Sequence, residues 1–247
     1  MNITELQLAR AIDQTNLSPI ASAADIALLA NQAKMHNFCA VAIMPSWIPL
    51  ASEILEGSQT TVVAAIGFPL GTCTTASKVA ETEWAILHGH SKIEIDVVMN
   101  ISMLKSGKNT LVERELRAVK RAAQGHILKV IIESPLLTPD EVFLASLIGE
   151  NAGADYIKTS TGFKYLKGWR PSTLDDVRLI RGAVADRVKI KVAGGVSTLS
   201  QALAYLEAGA SRIGTSAGHL IVEQCRERGG SDRPGTRRSL ATGTGEP

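Results

Sequence analysis

The chain has 247 residues, 45% of them hydrophobic and only 4% aromatic, and a formal net charge of +2. That length suits one α/β domain that buries its core without disulfide or metal staples, and the near-neutral charge gives no reason to expect nucleic acid or a membrane surface as partner. The three cysteines, Cys39, Cys73 and Cys225, form neither a CxxC pair nor a zinc spacing, which fits a reducing compartment. The opening Met1-Asn2-Ile3-Thr4-Glu5 carries no signal-peptide pattern and no run is apolar enough to span a bilayer. A cytoplasmic protein is therefore expected.

In chain order, short apolar, β-branched runs alternate with helical patterns. The first strand candidate, 13–17, is weak. Ser22-Ala23-Ala24-Asp25 then marks a helix start, and clear strand candidates follow at 39–44 and 60–66. Ala76, Val79, Ala80, Trp84 and Leu87 recur at helical spacing and predict a helix with that stripe packed on the core. Further strands are expected at 92–98, 127–132, 155–158, 188–192 and 212–214. Between them stand Thr138-Pro139-Asp140-Glu141, a capping box with proline at the first helical position, and Ser172-Thr173-Leu174-Asp175, which repeats the logic. Eight strands recurring roughly every 25–30 residues point to a (β/α)8 TIM barrel, preceded by a short N-terminal helix. Residues 1–225 are assigned to this single domain. Residues 226–247, rich in Gly, Arg, Ser and Thr, are expected to be a disordered tail because they hold too little apolar surface to offset their ordering entropy.

In such a barrel the chemistry lies at the C-terminal ends of the strands. Asp13 lies in the first candidate, Asp96 interrupts Ile93-Glu94-Ile95-Asp96-Val97-Val98, Lys158 ends Tyr156-Ile157-Lys158, and Lys191 precedes Ala193-Gly194-Gly195. Burying one uncompensated ammonium costs several kcal/mol, ~5 or more before relaxation. A single strand lysine usually snorkels or faces outward. Two at the ends of successive strands, each followed by a Gly-containing turn, read instead as a functional pair. Two neighbouring ammonium groups repel, so at least one pKa falls, and a neutral amine can attack a carbonyl to form a Schiff base. Asp96 is placed to move the protons that carbinolamine breakdown requires. Ala193-Gly194-Gly195-Val196-Ser197 and Ile213-Gly214-Thr215-Ser216-Ala217-Gly218 follow the last two strands, where this fold commonly binds phosphate. Their bland alternative is tight turns alone. The five histidines show no ligand spacing, so no metal is expected.

These residues carry a resemblance over roughly the first 220 positions. The motifs are Ile66-Gly67-Phe68-Pro69-Leu70-Gly71 with Thr75, Lys78 and Glu81; Glu94-Ile95-Asp96-Val97-Val98-Met99-Asn100; and Lys129-Val130-Ile131-Ile132-Glu133. They continue through Ala154-Asp155-Tyr156-Ile157-Lys158-Thr159-Ser160-Thr161-Gly162-Phe163, Lys191-Val192-Ala193-Gly194-Gly195-Val196 and Arg212-Ile213-Gly214-Thr215-Ser216. In this order the chain resembles the deoxyribose-phosphate aldolases. The resemblance implies a class I aldolase that reversibly cleaves 2-deoxy-D-ribose 5-phosphate to D-glyceraldehyde 3-phosphate and acetaldehyde, in deoxyribose phosphate catabolism, with no metal or organic cofactor. It makes Lys158 the Schiff-base nucleophile, Lys191 the lysine that perturbs it and Asp96 the proton shuttle. It carries phosphate and substrate contacts to Asp13, Thr15, Thr161, Gly162, Gly194, Gly195, Gly214 and Ser216.

The chain departs from the family pattern in places. The first motif, usually Ile-Asp-His-Thr-Leu-Leu, reads Ile12-Asp13-Gln14-Thr15-Asn16-Leu17; the second strand ends Ala42-Ile43-Met44-Pro45; Ala217 stands where serine is common. Lys189 shares strand parity with Lys191, and the tail lacks the tyrosine with which some members end. The basic stretch Lys164-Tyr165-Leu166-Lys167-Gly168-Trp169-Arg170 reads as a solvated loop or as a rim that attracts phosphate. Two other readings stay open: a related Schiff-base aldolase with a different aldehyde or sugar phosphate, and a non-catalytic phosphosugar-binding barrel. A homo-oligomer is compatible with the sequence, which does not specify one.

Overall fold

The computed structural model describes residues 3–89, 93–164 and 169–231. Eight parallel strands close a barrel in sequence order. They are β1 (Ile12–Asn16), β2 (Ala40–Ile43), β3 (Thr61–Ile66), β4 (Ile93–Val98), β5 (Ile127–Ile131), β6 (Tyr156–Lys158), β7 (Lys189–Ala193) and β8 (Arg212–Thr215). Around them lie α1 (Glu5–Ala9), α2 (Ala23–Met35), α3 (Ile48–Ile54), α4 (Thr75–His88), α5 (Ile101–Lys105) and α6 (Asn109–Ala122). The ring continues with α7 (Pro139–Asn151), α8 (Leu174–Ala183), α9 (Leu199–Glu207) and α10 (Gly218–Ser231). Each predicted strand is present, including the weak first one, and α1 is the short N-terminal helix.

The period of two along each strand separates two chemistries. Ile12, Ile43, Ile66, Ile95, Val130 and Ile190 pack outward against helix residues such as Ile26, Leu116, Val142 and Ile180 in one apolar cluster. The opposite parity holds Asp13, Glu94, Asp96, Lys129, Lys158, Lys191 and Arg212. These side chains meet between strands that are not neighbours, β1 with β7 and β4 with β6, β7 and β8. Such contacts are available only across the barrel interior. On that same face Ala40, Ala42 and Val63 form a small separate apolar cluster.

Three expectations need correction. The cap of α8 is Thr173 with Asp176, one residue beyond the predicted start at Ser172, because the Ser172 hydroxyl is occupied by Thr159 and Ala193. The stripe on α4 does not face the core: Ala76 and Ala80 are exposed, as are Trp84 (37%) and Leu87 (79%), whereas Lys78, Thr82 and Ala85 are buried. The inward position goes to Lys78 because its ammonium pairs with Glu115 (2.5 Å) and donates to the Val98 carbonyl (2.8 Å). Residues 226–231, expected in the tail, continue α10 to Ser231, and Arg226 pairs with Glu5 of α1 (2.6 Å). Residues 232–247 of the expected tail lie outside the described residues.

Candidate active site

The charged cluster closes on Asp96. Its Oδ2 accepts from both Lys158 Nζ and Lys191 Nζ, each at 2.8 Å, and its Oδ1 accepts from Lys129 Nζ at 2.9 Å. Below it, Lys129 also pairs with Glu94 (2.6 Å), Lys191 with Asp13 (2.5 Å), and Arg212 with Asp13 (2.7 Å) and Glu94 (3.4 Å). The strand register sets Lys158 beside Lys191, and Lys191 beside Arg212. All are nearly solvent-free. Sequence reasoning found Lys158, Lys191 and Asp96 and missed the supporting Lys129, Glu94 and Arg212. Those carry the same signal, a charge inside an apolar strand run.

Four basic groups here meet three carboxylates, so the cluster balances when one lysine is neutral. Lys158 is the group driven that way: its pKa falls to about 8. Burial is the largest cause and Lys191 adds to it, while Asp96 opposes. The sequence reading attributed this fall to the neighbouring lysine; desolvation contributes more. Burial alone would raise the Asp96 carboxyl, but Lys129, Lys158 and Lys191 overcome it and hold it well below the ordinary range. Lys129 is pushed up, since Asp96, Glu94 and Asp13 outweigh its burial.

Lys158 opens into a cavity of about 1170 Å³. Its lining includes Thr15, Phe68, Thr161, Gly162, Phe163, Gly194, Gly195, Gly214 and Ser216. The predicted contact residues are thus brought together with one exception. Asp13 is fully buried beneath Lys191 and is not among the lining residues; its carboxylate serves Lys191 and Arg212. Gly162 lines the cavity, but its N–H is already donated to Ser160 Oγ (2.9 Å). Met44 and Ala217, two of the departures, are not in the lining. Lys189 sits exposed at the start of β7, its ammonium 5.8 Å from the Tyr156 ring centroid. In the basic stretch, Lys164 lines the cavity and Arg170 is engaged by Asp176 (2.7 and 2.8 Å); residues 165–168 lie outside the described residues.

The residues after Lys158 hold the mouth in shape. The Thr159 hydroxyl donates to the Ala193 carbonyl (3.2 Å) and accepts from the Ala193 amide (3.1 Å), so it ties β6 to β7. Ser160 Oγ donates to Glu133 (2.7 Å), whose other oxygen accepts from the Thr161 amide (3.1 Å). Phe68 meets Phe163 edge-on at 6.0 Å, and its loop is held by Glu81, which accepts from the Gly67 amide (2.7 Å). Gly195 has φ +95°, and a Cβ there would lie 2.9 Å from Pro171 Cβ. Gly195→Ala is therefore expected to cost about 1–3 kcal/mol of local strain. It should raise KM more than it lowers kcat, as steady-state kinetics on the purified variant would show.

The DeoC/LacD family aldolase model matches residues 7–223. The chain is 46% identical over 218 residues to the deoxyribose-phosphate aldolase of Streptococcus mutans serotype c, covering 88% of this chain and 96% of that protein. Among solved structures it is similar to QR15, an aldolase, with 37% identity and TM-score 0.85 over 92% of this chain and 99% of that one. It is also similar to the tetrameric deoxyribose phosphate aldolase of Aeropyrum pernix, with 28% identity and TM-score 0.82 over 91% of this chain and 93% of that one.

Proposed function

Because the chain belongs to the DeoC/LacD aldolase family, we propose that it is a class I aldolase that cleaves 2-deoxy-D-ribose 5-phosphate to D-glyceraldehyde 3-phosphate and acetaldehyde. The observation that carries the mechanism is the shared carboxylate oxygen: Asp96 Oδ2 lies 2.8 Å from both Lys158 Nζ and Lys191 Nζ.

The neutral Lys158 amine attacks the C1 aldehyde of the open-chain sugar and forms a carbinolamine. Loss of water needs a proton delivered to the leaving hydroxyl, and the Asp96–Lys191 pair is the adjacent proton carrier. The resulting iminium accepts the electrons of the C2–C3 bond as that bond breaks and the C3 hydroxyl gives up its proton. Glyceraldehyde 3-phosphate leaves, the enamine is protonated at C2, and water releases acetaldehyde. Lys129 keeps Asp96 aimed at both lysines, and Asp13 keeps Lys191 in place. The Gly194-Gly195 and Gly214–Ser216 turns, with Thr15 and Thr161, are proposed to receive the phosphate and the sugar hydroxyls. A barrel that only bound a phosphosugar would have no use for three buried lysines around one carboxylate.

The same reading takes the protein as a cytoplasmic catabolic enzyme, in keeping with three free cysteines and, among the described residues, no helix long and apolar enough to cross a membrane. It also takes the chain as a homo-oligomer, for which the exposed Trp84 and Leu87 on α4 offer apolar surface. The test of the reaction is a coupled assay of both products. Equimolar glyceraldehyde 3-phosphate and acetaldehyde are expected, and phosphosugar binding without either product would overturn the proposal.

The pH dependence follows from the sign of the Lys158 shift. The attacking amine must be neutral, and with a pKa of about 8 only about a tenth of it is neutral at pH 7. kcat/KM is expected to rise with pH, close to tenfold per unit at first, to bend near pH 8 and to level off about one unit higher. A rate–pH profile flat between pH 6 and 8 would contradict this assignment.

A further inference from the structure

Gln14 on β1 is buried, 2% exposed, and its amide spans two backbone groups of the turn after β8. Nε2 donates to the Ser216 carbonyl (3.2 Å), and Oε1 accepts from the Gly218 N–H (3.0 Å). The two bonded groups flank Ala217, whose own amide is taken by Thr215 Oγ1 (2.9 Å). Thr215 Oγ1 in turn donates to the Val196 carbonyl (2.6 Å), which fastens this turn to the one after β7. The contact is close on both sides, since a Cβ on Gly218 would lie 2.4 Å from Gln14 Oε1. The side chain therefore fixes both the last turn of the cavity and the first residue of α10. Neither a carboxylate nor an apolar side chain offers a donor and an acceptor in this arrangement.

We infer that Gln14 is a positioning residue for phosphate recognition: by anchoring Ser216 and Gly218 it holds the adjoining Gly214–Ser216 turn in the shape that receives the substrate's phosphate, without touching the reacting carbon. This inference rests on the proposed function, which assigns the phosphate to that turn. It separates binding from chemistry, because Gln14 makes no hydrogen bond to Lys158, Lys191 or Asp96 among those found in the described residues.

The test compares Gln14→Met, which removes both hydrogen bonds, with Gln14→Glu, which keeps the acceptor but turns the donor into a negative oxygen facing the Ser216 carbonyl. Both are expected to raise KM for 2-deoxyribose 5-phosphate by about tenfold or more, with kcat changed less than about threefold, the pattern of lost uniform binding. The loss should be larger for Glu. Turnover of unphosphorylated 2-deoxyribose and the rate–pH profile should stay as in the parent. Equal losses on both sugars, or an unchanged KM for the phosphorylated one, would overturn the inference. If the parent protein cleaves neither sugar, the proposed function fails by itself. The inference is then read from inorganic phosphate binding by calorimetry: about tenfold weakening in Gln14→Met supports it, and equal affinity refutes it.

Discussion

Lys158→Leu is expected to abolish turnover, by about 10⁴-fold or more, the scale seen when a covalent nucleophile is removed. It should leave the barrel folded. Asp96 retains Lys129 at 2.9 Å and Lys191 at 2.8 Å, so no buried charge loses its last partner. The variant should also unfold at a higher temperature at pH 7. The folded pKa of Lys158, about 8, lies below its ordinary 10.5, so between those values the unfolded chain binds the extra proton. Holding the lysine thus costs stability in full below pH 8, and the cost fades as pH rises toward 10.5. Removing it should give a gain in melting temperature at pH 7 that shrinks toward pH 10. A variant that keeps turnover would remove Lys158 from the chemistry; one that fails to fold would show that the lysine is structural.

Asp96→Asn is expected to damage stability as well as rate. The substitution leaves Lys129, Lys158, Lys191 and Arg212 facing only Asp13 and Glu94. Breaking a buried ion pair by deleting one partner costs about 3–5 kcal/mol, and loss of a positioned proton carrier costs about 10²–10⁴ in rate. The stability loss has a defined pH window. Asp96 titrates well below the ordinary carboxylate range when folded, so its contribution is fully present above the unfolded value near 3.8 and is lost as pH falls through the folded value. The gap between parent and variant in denaturant unfolding should therefore be constant near neutrality and close only in strong acid. A gap already closed at pH 5 would mean that Asp96 is not the counter-charge of the lysines.

The barrel was legible because most strands are Val- and Ile-rich runs, which an outward face buried under helices demands; β1, Ile12–Asn16, is the exception and is weak in the sequence. The lysine pair was legible for the opposite reason: Lys158 and Lys191 break that pattern at the end where this fold does its chemistry. Lys129, Glu94 and Arg212 break it too, lower in the barrel, and a stricter use of the same rule finds them. Orientation is what periodicity cannot supply. The α4 stripe had helical spacing, but spacing does not say which face turns inward, and the pairing of Lys78 with Glu115 decided it. The resemblance carries a substrate contact to Asp13, but the depth of its side chain is set with Arg212 of β8, 199 residues away. The Gln14 clamp likewise joins the first strand to a turn 202 residues later, a contact that only barrel closure creates.

The most direct test of the central claim is borohydride reduction in the presence of acetaldehyde, followed by peptide mapping by mass spectrometry. The account predicts that an ethyl group stably replaces one amine hydrogen, a net gain of C2H4, on the peptide carrying Lys158, and that no such gain appears in Lys158→Leu. Folded protein that cleaves the sugar phosphate but yields no adduct, or an adduct on Lys191 instead, would contradict it.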